Sequence, residues 1–179
     1  MEVSFQHISL MRSLSITVLV LSLATVLVAN DGDRSTHRLF HVERSKGPQV
    51  VCYDAVVVNG KLHENEPVDV YWLHPESGNA REELNWVERW KAYGVEVMKS
   101  YPGQDSCDVT MRAHRKPMRI VQRGGKWMAL TYIDGKVCEL IKLYVATDES
   151  GVFPKVLYIK LTGKVRWSGE IVTETIVQD

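Results

Sequence analysis

The chain has 179 residues, with 22 Lys and Arg against 22 Asp and Glu, 45% hydrophobic residues and three cysteines. Hydrophobicity this high with charge this mixed excludes a disordered tail, and 12 Gly and 6 Pro without a repeat exclude a collagen-like or low-complexity chain. A net charge of zero gives no global field to attract a phosphate polymer, so no nucleic acid is expected as a partner.

Arg12 precedes an uncharged run from Ser13 to Ala29, and the next charge is Asp31. A basic residue, an apolar run and a small residue before a polar segment form a secretory signal peptide. Residues 1–29 are therefore expected to be cleaved after Ala29, with Met1 or Met11 as the start, leaving a secreted or periplasmic protein. The alternative is an uncleaved anchor, the one membrane attachment the sequence offers, although the run is slightly shorter than the ~20 residues a spanning helix needs. Residues 30–37 then read as a short linker and 38–179 as a single β-rich domain. Cys52, Cys107 and Cys138 all fall in the exported part. Either one pair among them forms a disulfide, with three pairings open, or they serve as small buried hydrophobes.

From Arg38 onward, short β-branched and aromatic runs alternate with turn dipeptides. Phe40–Arg44 predicts a first strand and Gln49–Val58 a second, apolar on both parities and so buried on both faces. Asn59-Gly60 follows as a hairpin turn, and Val68–His74 is the next strand. Between Asn79 and Gly94 the period changes. Asn79 with Glu82 resembles a capping box, Gly94 stands where a helix ends, and the residues between are good helix formers. Leu84, Trp86, Val87, Trp90 and Tyr93 share one half of such a helix, with Glu83 at its rim. The expectation is an amphipathic helix of about 14 residues, ~21 Å long, its aromatic stripe packed on a sheet. Further strands are predicted at Cys107–His114, Met118–Arg123, Lys126–Ile133, Lys136–Thr147, Lys155–Thr162 and Glu170–Val177, with Gly124-Gly125 and Asp134-Gly135 as two-residue turns. The fold class is mainly β: an antiparallel β-barrel or sandwich with one amphipathic helix.

Chemistry-bearing motifs are sparse. His37 and His41 would lie ~13 Å apart on a strand, and no HExxH or CxxC spacing occurs, so no metal site and no cofactor is expected. No GxSxG elbow or phosphate-binding glycine loop is present. Asp54 sits on an apolar face of its strand, where a lone carboxylate is costly to bury. Arg44, across the loop containing Gly47-Pro48, is the expected ion-pair partner. His41 and Glu43 share a face and form a candidate acid–base pair. Charge is also segregated: Met111 to Lys126 carries Arg112, Arg115, Lys116, Arg119, Arg123 and Lys126 with no acid, for +6, whereas Asp54 to Glu83 nets −5. A basic stripe of this kind suits anionic lipid head groups or acidic glycans, unless it pairs within the fold or is a solvated edge.

Arg38 to Lys46, Val50 to Asp54 and Val68 to Trp72 resemble the opening of an uncharacterised bacterial secreted family, domain of unknown function 4833. Glu83-Leu84, Glu88-Arg89 and Ala92-Tyr93-Gly94 are similar to its helix, and Gly125-Lys126, Ile133 to Lys136 and Ile141 to Val145 resemble its later strands. The resemblance implies an exported protein of a Gram-negative bacterium without an assigned activity. It points to Glu43, Arg44, Tyr53, Asp54, Tyr71, Trp72, Glu88, Arg89 and Tyr93, which with His41 make the polar and aromatic cluster to inspect first. Three functions remain open: a non-enzymatic envelope binding module for an anionic or lipophilic ligand, a hydrolase-like enzyme built on Asp54, His41 and Glu43, and a scaffold that binds an envelope protein.

Overall fold

The computed structural model describes residues 33–148, 150 and 155–177, so the signal segment lies outside the described residues. The strands are β1 (Arg34–Arg44), β2 (Val50–Val58), β3 (Lys61–Leu62), β4 (Val68–His74) and β5 (Ala80–Glu83). A short helix α1 (Trp86–Lys91) follows, then β6 (Val95–Tyr101), β7 (Ser106–Met111), β8 (Met118–Arg123) and β9 (Lys126–Ile133). The chain closes with β10 (Lys136–Asp148), β11 (Lys155–Val165) and β12 (Ile171–Val177). The fold is mainly β, one sheet curled into a half-barrel. Its main path runs β5-β4-β2-β1-β10-β9-β8-β7-β6, with β11 and β12 continuing from β10.

Local chemistry sets most of this. Asn59-Gly60, Gly124-Gly125 and Asp134-Gly135 all have positive φ at both positions, the geometry that joins twisted strands through two residues. Each lies at a hairpin tip, fixing the registers of β2 with β3, β8 with β9 and β9 with β10. β1 begins at Arg34, inside the segment read from sequence as linker. It pairs with β2 antiparallel but with β10 parallel, His41 facing Lys142 and Arg44 facing Val145. That parallel pair joins the N-terminal strands to the C-terminal ones and was not expected of a meander.

The core fills the concave side. Val42, Val51, Tyr53, Val70 and Trp72 meet Met111, Ile120, Trp127, Leu143 and Leu161 in one buried cluster. Phe40 and Tyr53 stack at 4.4 Å, a geometry that adds to what area burial alone contributes. Cys52, Cys107 and Cys138 are separate buried thiols on β2, β7 and β10 rather than one bridged pair and one free cysteine. Burial, with Asp108 beside it, pushes the Cys107 thiol up to about 12, so it behaves as a small hydrophobe.

The helix is the largest departure from expectation. Residues 80–83 form an edge strand, and α1 has only 6 residues. The capping box lies six residues later than the sequence suggested: the Asn85 side chain accepts from the Glu88 amide at 3.0 Å, and the Glu88 carboxylate accepts from the Asn85 amide at 3.0 Å. Nor is the aromatic stripe core. Trp86 is 75% exposed and Trp90 59%, and α1 contributes no buried residue. Leu84 and Tyr93 on its flanks anchor it instead. β5 and β6 end the main strand path, so the α1 segment is the covalent link between its two edges.

Gly94 is required by close approach rather than by a left-handed φ. A Cβ there would stand 1.8 Å from the Arg89 carbonyl oxygen, and backbone must move to admit it. Gly94→Ala is therefore expected to cost about 2 kcal/mol or more in urea denaturation; a change within ~0.5 kcal/mol, the range of an ordinary surface substitution, would contradict the close approach.

Candidate functional site

The expected polar residues fall into three groups. On the convex face, opposite Tyr53 and Ala55, Asp54 pairs with Arg38, not with Arg44. Tyr71 donates to Asp54 Oδ2 at 2.7 Å and accepts from the Arg38 guanidinium at 3.0 Å. Arg81 lies 3.9 Å over the Tyr71 ring and reaches Asp69 at 2.9 Å, which neutralises the carboxylate opposite Asp54 in the ladder. The register explains the correction. Pairing about loop 45–49 places Asp54 opposite Arg38, whereas Arg44 lies some five positions, ~17 Å, further along. A buried carboxylate held by a guanidinium and a phenol is satisfied structurally.

A second group is His41, Glu43 and Lys142. The imidazole is 3.1 Å from Glu43, and Lys142 donates to both Glu43 oxygens at 3.1 and 3.0 Å. Burial opposes the charged form, but Lys142 and then His41 outweigh it and hold the Glu43 carboxyl below the usual range. Among the described residues, the three groups proposed for catalysis are split: Asp54 bonds to Arg38 and Tyr71, and His41 and Glu43 bond to each other and to Lys142. None of them lines any cavity described below.

The basic stripe is also largely neutralised, though not by the acidic segment 54–83. Arg112 pairs with Glu96 at 3.4 Å, Lys116 with Glu174 at 2.6 Å, Arg119 with Asp108 at 2.6 Å, and Lys126 with Glu139. Arg115 and Arg123 are exposed cations beside these pairs. Two unpaired cations make a much weaker field than the +6 read from the sequence.

The third group lines the concave side. Arg44 lies 4.5 Å over the Trp72 indole, and Tyr93 meets the same indole edge-on at 5.2 Å. Trp72 donates through Nε1 to Glu88 at 3.2 Å, and Tyr53 donates to the Tyr93 carbonyl at 2.8 Å. Arg44, Tyr53, Trp72, Glu88 and Tyr93 thus form one connected assembly from β1, β2, β4, α1 and the segment that follows it. Arg89 is outside it, bound to Glu83 at 3.4 Å.

Beside this assembly is a cavity of about 260 Å³. Val42, Met111, Leu143, Val145, Val156 and Ile159 make its apolar wall, with Arg44, Lys46, Tyr93 and His114 as its polar groups. Arg44 Nε and His114 Nε2 are buried without a hydrogen-bond partner. An unsatisfied buried donor costs ~1–3 kcal/mol, so the Arg44 Nε–H is a stored demand for an acceptor, which His114 shares in its Nε2–H tautomer. The sequence singles out Arg44, whereas His114 sits unremarked within the basic run from Met111 to Lys126. This histidine lies three residues beyond the end of β7 and out of step with Val109 and Met111, so strand alternation gave no signal for it.

A family model for a domain of unknown function, number 4833, matches residues 40–175. The chain belongs to that family. No curated protein and no solved structure matches it. The matched span of this 4833-family chain includes every residue of the concave assembly and cavity named above.

Burial, and then nearby Lys116, hold the His114 imidazole below its ordinary pKa, with Glu174 opposing. The folded state therefore favours neutral His114, and the unfolded chain takes up the proton first as pH falls. Its stabilising contribution is complete above the ordinary histidine range and is lost as pH drops through it. Urea denaturation at about pH 7.5 and about pH 5 should show wild type losing more stability than His114→Gln between the two; equal losses would contradict a buried neutral His114.

Proposed function

We propose that the protein is an exported, non-enzymatic binding domain whose concave cavity takes an amphiphilic anion, an alkyl carboxylate being the simplest. The observation that carries the reading is the pair of buried nitrogens, Arg44 Nε and His114 Nε2, without partners on a cavity with a largely aliphatic wall. A carboxylate offers acceptors to the Arg44 N–H and to the His114 ring, either as its Nε2–H tautomer or once protonated, and a charge-assisted bond is about twice as strong as a neutral one. The alkyl chain would replace water against Leu143, Val145 and Ile159, at ~25 cal/mol per Å² of apolar surface covered. Trp72 holds the guanidinium plane from below, so little side-chain entropy remains to be lost when the anion arrives. Export is supported by Arg12 followed by the apolar run to Ala29, which implies a periplasmic or secreted site of action.

Titration calorimetry with decanoate, butyrate and decanol tests the reading. Decanoate should bind, and both the shorter acid and the uncharged alcohol should bind at least about tenfold more weakly. Arg44→Gln should cost decanoate about tenfold or more, and Val145→Phe should fill the cavity and abolish binding while the fold remains stable. Decanoate that fails to bind wild type, or that binds Arg44→Gln equally well, would overturn it.

A further inference from the structure

A larger groove of about 800 Å³ lies elsewhere on the domain, along β4, β5, α1 and β6. Its floor includes Val68, Val70 and Val95, and its rim carries Trp86, Trp90, Arg81, Asp69, Glu83 and Arg89. Trp86 and Trp90 are one turn apart on α1, about 6 Å along the axis, and they share a side of the helix. Both are among the most exposed large side chains of the domain, at 75% and 59%. The capping box and the Trp72–Glu88 hydrogen bond hold the helix that carries them.

The polar rim is built rather than merely solvated. Arg81 pairs with Asp69 at 2.9 Å and also with Glu83, and Arg89 reaches the other Glu83 oxygen at 3.4 Å. Arg112, also on the groove, pairs with Glu96. These pairs hold planar donors and acceptors in fixed orientations and cancel most of their charge. A phosphate polymer would find little net field there, and a bilayer would have to dehydrate Asp69, Glu83 and Arg89 together.

We infer that this groove binds a neutral β-linked oligosaccharide, with the indoles of Trp86 and Trp90 as stacking platforms for successive sugar rings. A pyranose whose hydroxyls are equatorial has two flat faces of C–H groups, which suit an indole face. Its edge of hydroxyls, each both donor and acceptor, suits alternating carboxylates and guanidinium groups. Arg81, Asp69 and Glu83 supply that alternation beside the two rings. The site is separate from the decanoate cavity, with which it shares no lining residue, and the inference does not rest on that reading.

The test is native affinity electrophoresis of the mature protein in gels cast with barley β-glucan, with glycol chitin, or with the α-linked polymer glycogen. Wild type should be retarded in at least one of the two β-linked gels and run freely in glycogen. Trp86→Ala and Trp90→Ala should each lose most of the retardation. Trp167→Ala, which removes an indole 72% exposed but outside the groove, should keep it. Each variant should retain the wild-type circular dichroism spectrum, and Trp86→Phe should restore part of the retardation. Free migration of wild type in both β-linked gels would overturn the inference. So would retardation that survives loss of both tryptophans, or a Trp86/Trp90 pair whose only measurable effect is on self-association or on sedimentation with phosphatidylcholine vesicles.

Discussion

The indole of Trp72 is the contact on which the concave side depends. It receives the Arg44 guanidinium on one face and the Tyr93 ring at its edge, and it donates to Glu88. β1, β4, α1 and the segment that follows α1 are thereby joined around one side chain. Without it, Arg44 would have no indole to lie on, and the link between β5 and β6 would lose the Glu88 and Tyr93 contacts that tie it to β4. The cost of placing a guanidinium in this setting is met by stacking and by Tyr93, yet Nε is left over. A structure that satisfies nearly every other described buried polar side chain but leaves Arg44 Nε and His114 Nε2 on one cavity invites an acceptor there.

Elsewhere the domain resolves its charges locally. The acidic and basic segments of the sequence do not form ion pairs with one another among the described residues. Asp54 is met by Arg38, Asp69 by Arg81, Asp108 by Arg119 and Glu174 by Lys116, each across neighbouring strands or loops. The more exposed of these, such as Arg119–Asp108, add little to stability, about 0–1 kcal/mol apiece, but every pair removes long-range field. Recognition by this surface therefore falls to shape and to specific hydrogen bonds rather than to bulk electrostatics.

Strands and turns were legible in the sequence where local chemistry decides them. The three hairpin dipeptides adopt positive φ at little cost, and β4, β8 and β9 have the bounds that alternation and turn residues imply. What escaped was decided at long range. β5 is composed of Ala, Arg and Glu, good helix formers, and only pairing with β4 makes it a strand. The parallel β1–β10 pair joins segments about a hundred residues apart, with no local trace. Of the candidate site, Arg44, Tyr53, Trp72, Glu88 and Tyr93 were singled out and do converge, whereas His114 lay hidden in a basic run. Arg44 is the cation nearer the loop, but the β1–β2 register places Arg38, not Arg44, opposite Asp54.

The central claim is that the Arg44 Nε–H is a buried donor awaiting an anionic acceptor. Nitrogen-15 NMR of the arginine side chains measures this directly. The account predicts an Arg44 Nε–H signal protected from exchange in the free protein, moving strongly downfield on addition of decanoate and staying in place with decanol. An Arg44 signal that exchanges as fast as those of surface arginines, or that ignores decanoate at saturating concentration, would contradict it.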